Sequence, residues 1–148
     1  MVQGERAMTH PISRIDHIAI TVADLDRASR FYTDVLEAVQ IREYELEGRV
    51  MIRQFHLGGA MLNIHQVGHS HPIVAGRPTP GSADICFRWE GPIAAAIGLL
   101  ERKGVEIIEG PGERYASNGV AGLSIYFRDP DGNLLELLTI TDTKGEAA

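Results

Sequence analysis

Cysteine occurs once in these 148 residues, at Cys86, which excludes an internal disulfide framework and leaves the fold to its hydrophobic core. A lone thiol suits a reducing compartment, so a cytoplasmic location is expected. Positive charge is also scarce. Fourteen Lys and Arg stand against twenty Asp and Glu, a net charge of -6, and no basic cluster offsets it. Nucleic acid and anionic membrane surfaces are therefore disfavoured as partners. No apolar run approaches the roughly 20 residues that span a bilayer, and the first residues lack the apolar stretch of a signal peptide. The length fits one domain with a real core rather than two.

What is present is strong turn chemistry near the end. Tyr126-Phe127-Arg128 and Leu134-Leu135-Glu136-Leu137-Leu138 flank Asp129-Pro130-Asp131-Gly132-Asn133, where Pro sets one backbone angle and Gly supplies a positive one. The second run carries a single carboxylate among leucines. Strand alternation puts Glu136 on the face of Leu134 and Leu138, opposite Leu135 and Leu137. A carboxylate pointing into a sheet needs a partner.

Upstream, the chain reads as one unit stated twice. Residues 1–13 are a loose leader, module one covers about 14–67, a linker about 68–82, module two about 83–140, and 141–148 form a flexible tail. Module one opens with an alternating strand around Ile15–Val22. Asp24 follows as a helix N-cap, and Leu25, Ala28, Phe31, Tyr32, Val35 and Leu36 recur at helical spacing. Strands are expected near 38–45, 50–57 and 60–67, broken at Glu47-Gly48 and Gly58-Gly59. Module two repeats the pattern. A strand runs from Ser82 to Trp89, Pro92 sits in a helix's first turn, and Gly104 ends the helix. Strands follow near 105–108, 122–128 and 133–140, with Gly110-Pro111-Gly112 and Ser117-Asn118-Gly119 as loops. The linker's His69 and His71 are read as part of a flexible surface loop rather than as ligands.

Aligning the two units places His17 over Asp84 and Asn63 over Glu136. One sheet face then collects His17, Asn63, His65, Asp84 and Glu136 from four strands. Such a face is too polar to pack under helices and should line a solvent-reachable hollow. Imidazole and carboxylate donors suit a divalent Fe, Mn, Ni, Co or Zn ion, and open coordination positions would permit Lewis-acid chemistry. Further candidates for lining the hollow are Arg53, Asn63 and Arg88 for holding substrate, and Asp84, Tyr115 and Tyr126 for moving a proton. Cys86, beside Asp84, is read as a small filler.

The segments Ile15-Asp16-His17-Ile18-Ala19-Ile20-Thr21-Val22 with Phe31-Tyr32, Gly81 to Phe87, and Asp129-Pro130-Asp131-Gly132-Asn133-Leu134-Leu135-Glu136 resemble the vicinal oxygen chelate superfamily of glyoxalases, bleomycin-resistance proteins and extradiol dioxygenases. Leu62-Asn63-Ile64-His65-Gln66, Pro78 to Asp84, and Glu109-Gly110-Pro111 are similar to its short branch known as glyoxalase domain-containing protein five or virulence-associated. The resemblance implies an α+β fold of two βαβββ modules whose mixed sheets curl into a cup around a divalent metal. Carried across, it implies metal ligation by His17, His65 and Glu136, with Asp84 as a fourth ligand or as a residue orienting one. It also implies a homodimer and a small oxygen-chelating substrate, with isomerase, lyase or dioxygenase chemistry. Asp84 and Asn63 depart from the usual ligands and speak against glyoxalase I activity itself. The alternative is a non-catalytic binding or resistance protein using the same cup. Whether the cup closes within one chain or between two stays open at this level.

Overall fold

The computed structural model describes residues 10–140; the leader up to residue 9 and the tail 141–148 lie outside the described residues. The order is β1 (His17–Val22), α1 (Leu25–Asp34), β2 (Val39–Leu46), β3 (Arg49–Leu57), β4 (Ala60–Gln66), β5 (Asp84–Arg88), α2 (Ile93–Arg102), β6 (Glu109–Tyr115), β7 (Ala121–Arg128) and β8 (Leu134–Thr139). The two βαβββ units form separate four-stranded mixed sheets, ordered β1-β4-β3-β2 and β5-β8-β7-β6. In each, the first strand runs parallel to the last and the rest are antiparallel. This is the expected α+β architecture. Both opening strands, β1 and β5, are edges.

Local sequence explains most boundaries. The Asp24 side chain accepts from the Arg27 N–H at 3.0 Å and caps α1. Glu47 and Gly48 both take positive φ, 55° and 80°, as a two-residue hairpin with the twist of its strands requires. Pro92 stands one position earlier than expected, as the N-cap of α2. Leu25, Ala28, Tyr32 and Val35 of module one and Ile93, Ala96 and Leu100 of α2 join Ile20, Val22, Phe55, Ile64, Ile125, Phe127 and Leu135 in one continuous core. Only the alternate strand positions under the helices contribute to it, which leaves the other face of each sheet open.

One expectation is corrected. Gly110-Pro111-Gly112 is not a loop after a strand at 105–108; it lies inside β6, which begins at Glu109. A register shift between Glu109 and Gly112 marks a bulge, and β6 is an edge strand, where a missing N–H costs no ladder bond. Gly110 has φ +101°, and a Cβ there would collide with the Ser124 carbonyl.

The Asp129–Asn133 turn does more than reverse the chain. Asp129 is buried and accepts from the N–H groups of Asp131 (2.9 Å) and Asn133 (3.0 Å) and from Asn133 Nδ2 (2.7 Å). It also accepts from the Tyr32 hydroxyl of α1 at 2.7 Å. Asp131 Oδ1 accepts from the Ala23 N–H at 2.8 Å, and Asn133 Oδ1 from the Ala83 N–H at 2.8 Å. The turn therefore clamps module one to module two through two charge-assisted bonds, the buried one from Tyr32 to Asp129 and the one from the Ala23 N–H to Asp131.

Candidate functional site

On the open face of the first sheet, His17 stands at the start of β1, half-exposed. Its Nδ1 lies 2.8 Å from Asp16 Oδ1, which fixes the ring and turns Nε2 to other uses. That pairing holds the Asp16 carboxyl below its usual range, chiefly through the hydrogen bond. Ala19, Asn63 and Gln54 lie side by side across β1, β4 and β3. Arg42 Nη1 donates to Gln54 Oε1 at 3.2 Å. Asn63 Oδ1 is buried with no hydrogen-bond partner. His65, two residues on, bonds through Nδ1 to His69 Nε2 at 3.0 Å.

On the open face of the second sheet, Glu136 is the centre. Cys86 of β5 and Tyr126 of β7 stand opposite it on its two neighbouring strands. Ser124 Oγ donates to Glu136 Oε2 at 2.5 Å, so the lone carboxylate of the leucine strand does find a partner. Burial first, and the Glu136 carboxylate next, push the Cys86 thiol up to about 11. Arg114 Nε donates to the Tyr126 hydroxyl at 3.0 Å, and Arg114 Nη2 to Glu109 Oε2 at 2.8 Å. Asp84 and Arg88 share the parity of Cys86 on β5 and are exposed.

The expected single polar face is thus two faces. His17, Asn63 and His65 share one sheet; Asp84, Arg88, Tyr126 and Glu136 share the other. Among the described residues no three His, Cys, Asp or Glu side chains gather closely enough to hold a metal ion. Alternation sets which face of its strand a side chain takes, but it does not say which sheet the strand joins.

Two candidates face the wrong way. Arg53 lies on the helix side of β3. It bonds Asp26 Oδ1 (2.9 Å), Glu43 Oε1 (3.2 Å) and Ser29 Oγ (3.0 Å), tying α1 to β2 and β3. Tyr115 has the opposite parity to Arg114 and is 71% exposed, so it lies off the face that carries Glu136. His69 and His71 lie in the linker loop, as expected, and are not idle there. They fold back onto His65, with ring centroids 5.1 Å apart for His65–His69 and 6.2 Å for His69–His71. The linker has no period to betray this; the closeness of positions 65, 69 and 71 in sequence was the available signal.

Residues 14–137 match the sequence profile of the Glyoxalase/Bleomycin resistance protein/Dioxygenase superfamily. The chain belongs to that superfamily. It is 40% identical to "Virulence protein STM3117" of Salmonella typhimurium over 126 residues, covering 85% of this chain and 83% of that protein. The crystal structure of that protein superposes with a TM-score of 0.77, covering 88% of this chain and 98% of the other. "Glyoxalase domain-containing protein RDO1" of Mycosarcoma maydis is 37% identical, over 90% of this chain and 72% of its own. A lactoylglutathione lyase from Agrobacterium tumefaciens shares the fold at TM-score 0.65 and 26% identity, over 88% and 96% of the two chains. Superfamily members bind small molecules, typically use a divalent metal, and often form dimers. None of this chain's described helices is long and apolar enough to cross a membrane.

Proposed function

We propose that this chain is a metal-dependent enzyme acting on a small, oxygen-rich molecule in a cup completed by two copies of itself. The observation that carries the reading is the division of the donors. His17 stands on edge strand β1 of one sheet; Asp84 on edge strand β5 and Glu136 on β8 stand on the other. Edge strands are open to pairing with another chain. Laying β1 of one copy beside β5 of a second would bring an imidazole to two carboxylates, and two-fold symmetry would build two such sites. Exposed Ile15, just before β1, and Ile18 on it supply apolar surface for the contact.

The donor set fits a divalent ion. One imidazole with its far nitrogen held by a carboxylate, and two carboxylates on neighbouring strands, suit Fe, Mn, Ni, Co or Zn. His17, Glu136 and Asp84 would hold it, and when bound it would polarise an oxygen of the substrate. The chain's own residues do the rest. Ser124 fixes one oxygen of Glu136 and limits its rotation. Arg114 donates to the Tyr126 hydroxyl on the strand next to Glu136, leaving its O–H free to donate a hydrogen bond or a proton to substrate. Arg88, on the same face, supplies positive charge for an anionic substrate group. Isomerase, lyase and ring-opening dioxygenase chemistry are all compatible with this arrangement.

The test is metal-linked melting together with metal content after purification without chelator. Saturation at about a hundredfold excess over Kd is expected to add about 2.7 kcal/mol. His17→Ala and Glu136→Ala should each abolish that gain. Melting unchanged by Mn, Ni, Zn and Fe(II), with no bound metal, would instead favour a non-catalytic binding protein using the same cup.

A further inference from the structure

For a cup to close between two copies, β1 of one must meet β5 of the other in a single register. On β1, Ile18, Ile20 and Val22 share the helix side. Ile20 and Val22 are buried in the core, whereas Ile18 is 37% exposed at the free edge of its sheet. Ile18 directly follows His17, so alternation sends the two side chains to opposite faces. A slip of one residue that carried Ile18 into the cup would carry His17 out of it.

A cavity of about 530 Å³ flanks the other free edge. Leu36 and Leu57 of module one and Phe87, Trp89, Leu99 and Leu137 of module two form its apolar wall. Residues 86–89 all line it. One face of a strand offers only every second residue, so four in a row place the cavity along the backbone edge of β5. Leu99 belongs to α2 and Leu137 to the core, which puts the cavity behind the sheet, away from the open face. Its rim is charged. Glu37 and Arg102 line it, and neither has an ion-pair partner among the described residues. Arg14 and Asp16 precede Ile18 at steps of two, a base and an acid to match them.

We propose that this cavity is the socket for Ile18 of a second copy of the chain. Any pairing that turns His17 of one copy to the open face beside Glu136 of the other turns Ile18 to the side of Ile85 and Phe87, where the cavity opens. Asp16 and Arg14 then approach the rim that carries Arg102 and Glu37. Each copy gives one isoleucine and receives one, so the contact closes at two copies and leaves no knob or socket free. The socket sets the register of the shared cup, and in that it rests on the reading of two chains building one site. The contact is apolar and includes no metal ligand, so it forms in metal-free protein.

Sedimentation equilibrium of metal-free, full-length protein reads the dimer Kd, with circular dichroism as the check on folding. Ile18→Ala empties both sockets and should raise Kd about a hundredfold, about tenfold for each. Ala95 lines the cavity from the exposed side of α2, so Ala95→Trp fills the socket without touching the core and should weaken the dimer by a similar factor. Mixing the two variants joins the intact isoleucine of one to the intact socket of the other. That mixed dimer should be about tenfold tighter than either parent dimer. An unchanged Kd in Ile18→Ala or Ala95→Trp, or a mixed dimer no tighter than its parents, would overturn the socket. If metal binding still returned in a mixed dimer of His17→Ala and Glu136→Ala chains, the shared cup would stand and only its register key would fall. A wild-type chain that stays monomeric would remove both. A weakened Ile18→Ala dimer of a protein that binds no metal would support the socket and defeat the metal reading.

Discussion

Removing a single oxygen from the inter-module clamp tests whether the Asp129 turn holds the two halves together. Tyr32 is fully buried, and its hydroxyl donates to Asp129 Oδ2 at 2.7 Å. Burial, and then the carboxylate beside it, raise the phenol far above its ordinary pKa, so it stays a neutral donor at all accessible pH. Tyr32→Phe keeps the ring in the core and deletes only that donor. A hydrogen bond to a charged group contributes about 1.5–3 kcal/mol. Asp129 keeps its three other donors, which places the expected loss near the lower end, about 1.5–2 kcal/mol. For a chain of this size that corresponds to a fall in Tm of about 4–8 °C. Asp129→Ala goes further, because it strands two backbone N–H groups, the Asn133 amide and the Tyr32 hydroxyl; about 3–5 kcal/mol is expected. Urea unfolding followed by circular dichroism reads both changes, as a shifted midpoint at unchanged slope. A Tyr32→Phe midpoint corresponding to less than about 0.5 kcal/mol would refute the clamp.

Other consequences follow from single contacts. Glu136→Gln should speed alkylation of Cys86 by iodoacetamide at pH 8, because the carboxylate helps keep the thiol protonated; an unchanged or slower rate would break the assigned adjacency. Gly110→Ala should destabilise by about 1–3 kcal/mol, read by urea midpoint, since it adds a Cβ at positive φ against the Ser124 carbonyl. Neutral His65 stabilises the fold in full above about pH 6.5, its ordinary value. Because folding lowers its pKa, that contribution is lost as the pH falls through the lowered value. His65→Gln should therefore flatten the acid side of the stability–pH profile. Arg53→Met should lower Tm by a few degrees without altering ligand or metal binding, since its partners lie on the helix side.

The sequence made legible what depends on period and turn chemistry. The βαβββ repeat, the Asp24 cap, the Glu47-Gly48 hairpin and the open-face parity of His17, Asn63, His65, Asp84 and Glu136 all follow from local pattern. What escaped depends on contacts between distant segments. Gly110-Pro111-Gly112 has the composition of a loop, and only the sheet edge and the bulge make it a strand. Arg53 has the chemistry of a substrate ligand but the parity of β3's helix side, which one residue of register decides. His69 and His71 lie in an aperiodic linker, so nothing local showed that they turn back onto His65. The division of the polar residues between two sheets was out of reach for the same reason, since strand order is a tertiary property.

The central claim is that ligands for one ion come from two copies of the chain. Co-expressing His17→Ala and Glu136→Ala chains with different tags, and purifying the mixed dimer through both, isolates that claim. Each variant alone is expected to bind no metal by equilibrium dialysis. In the mixed dimer one cup receives both lost groups and the other receives both intact ones, so binding should return to about half the wild-type capacity. A mixed dimer as empty as its parents, or a wild-type chain that stays monomeric while binding metal, would contradict the account.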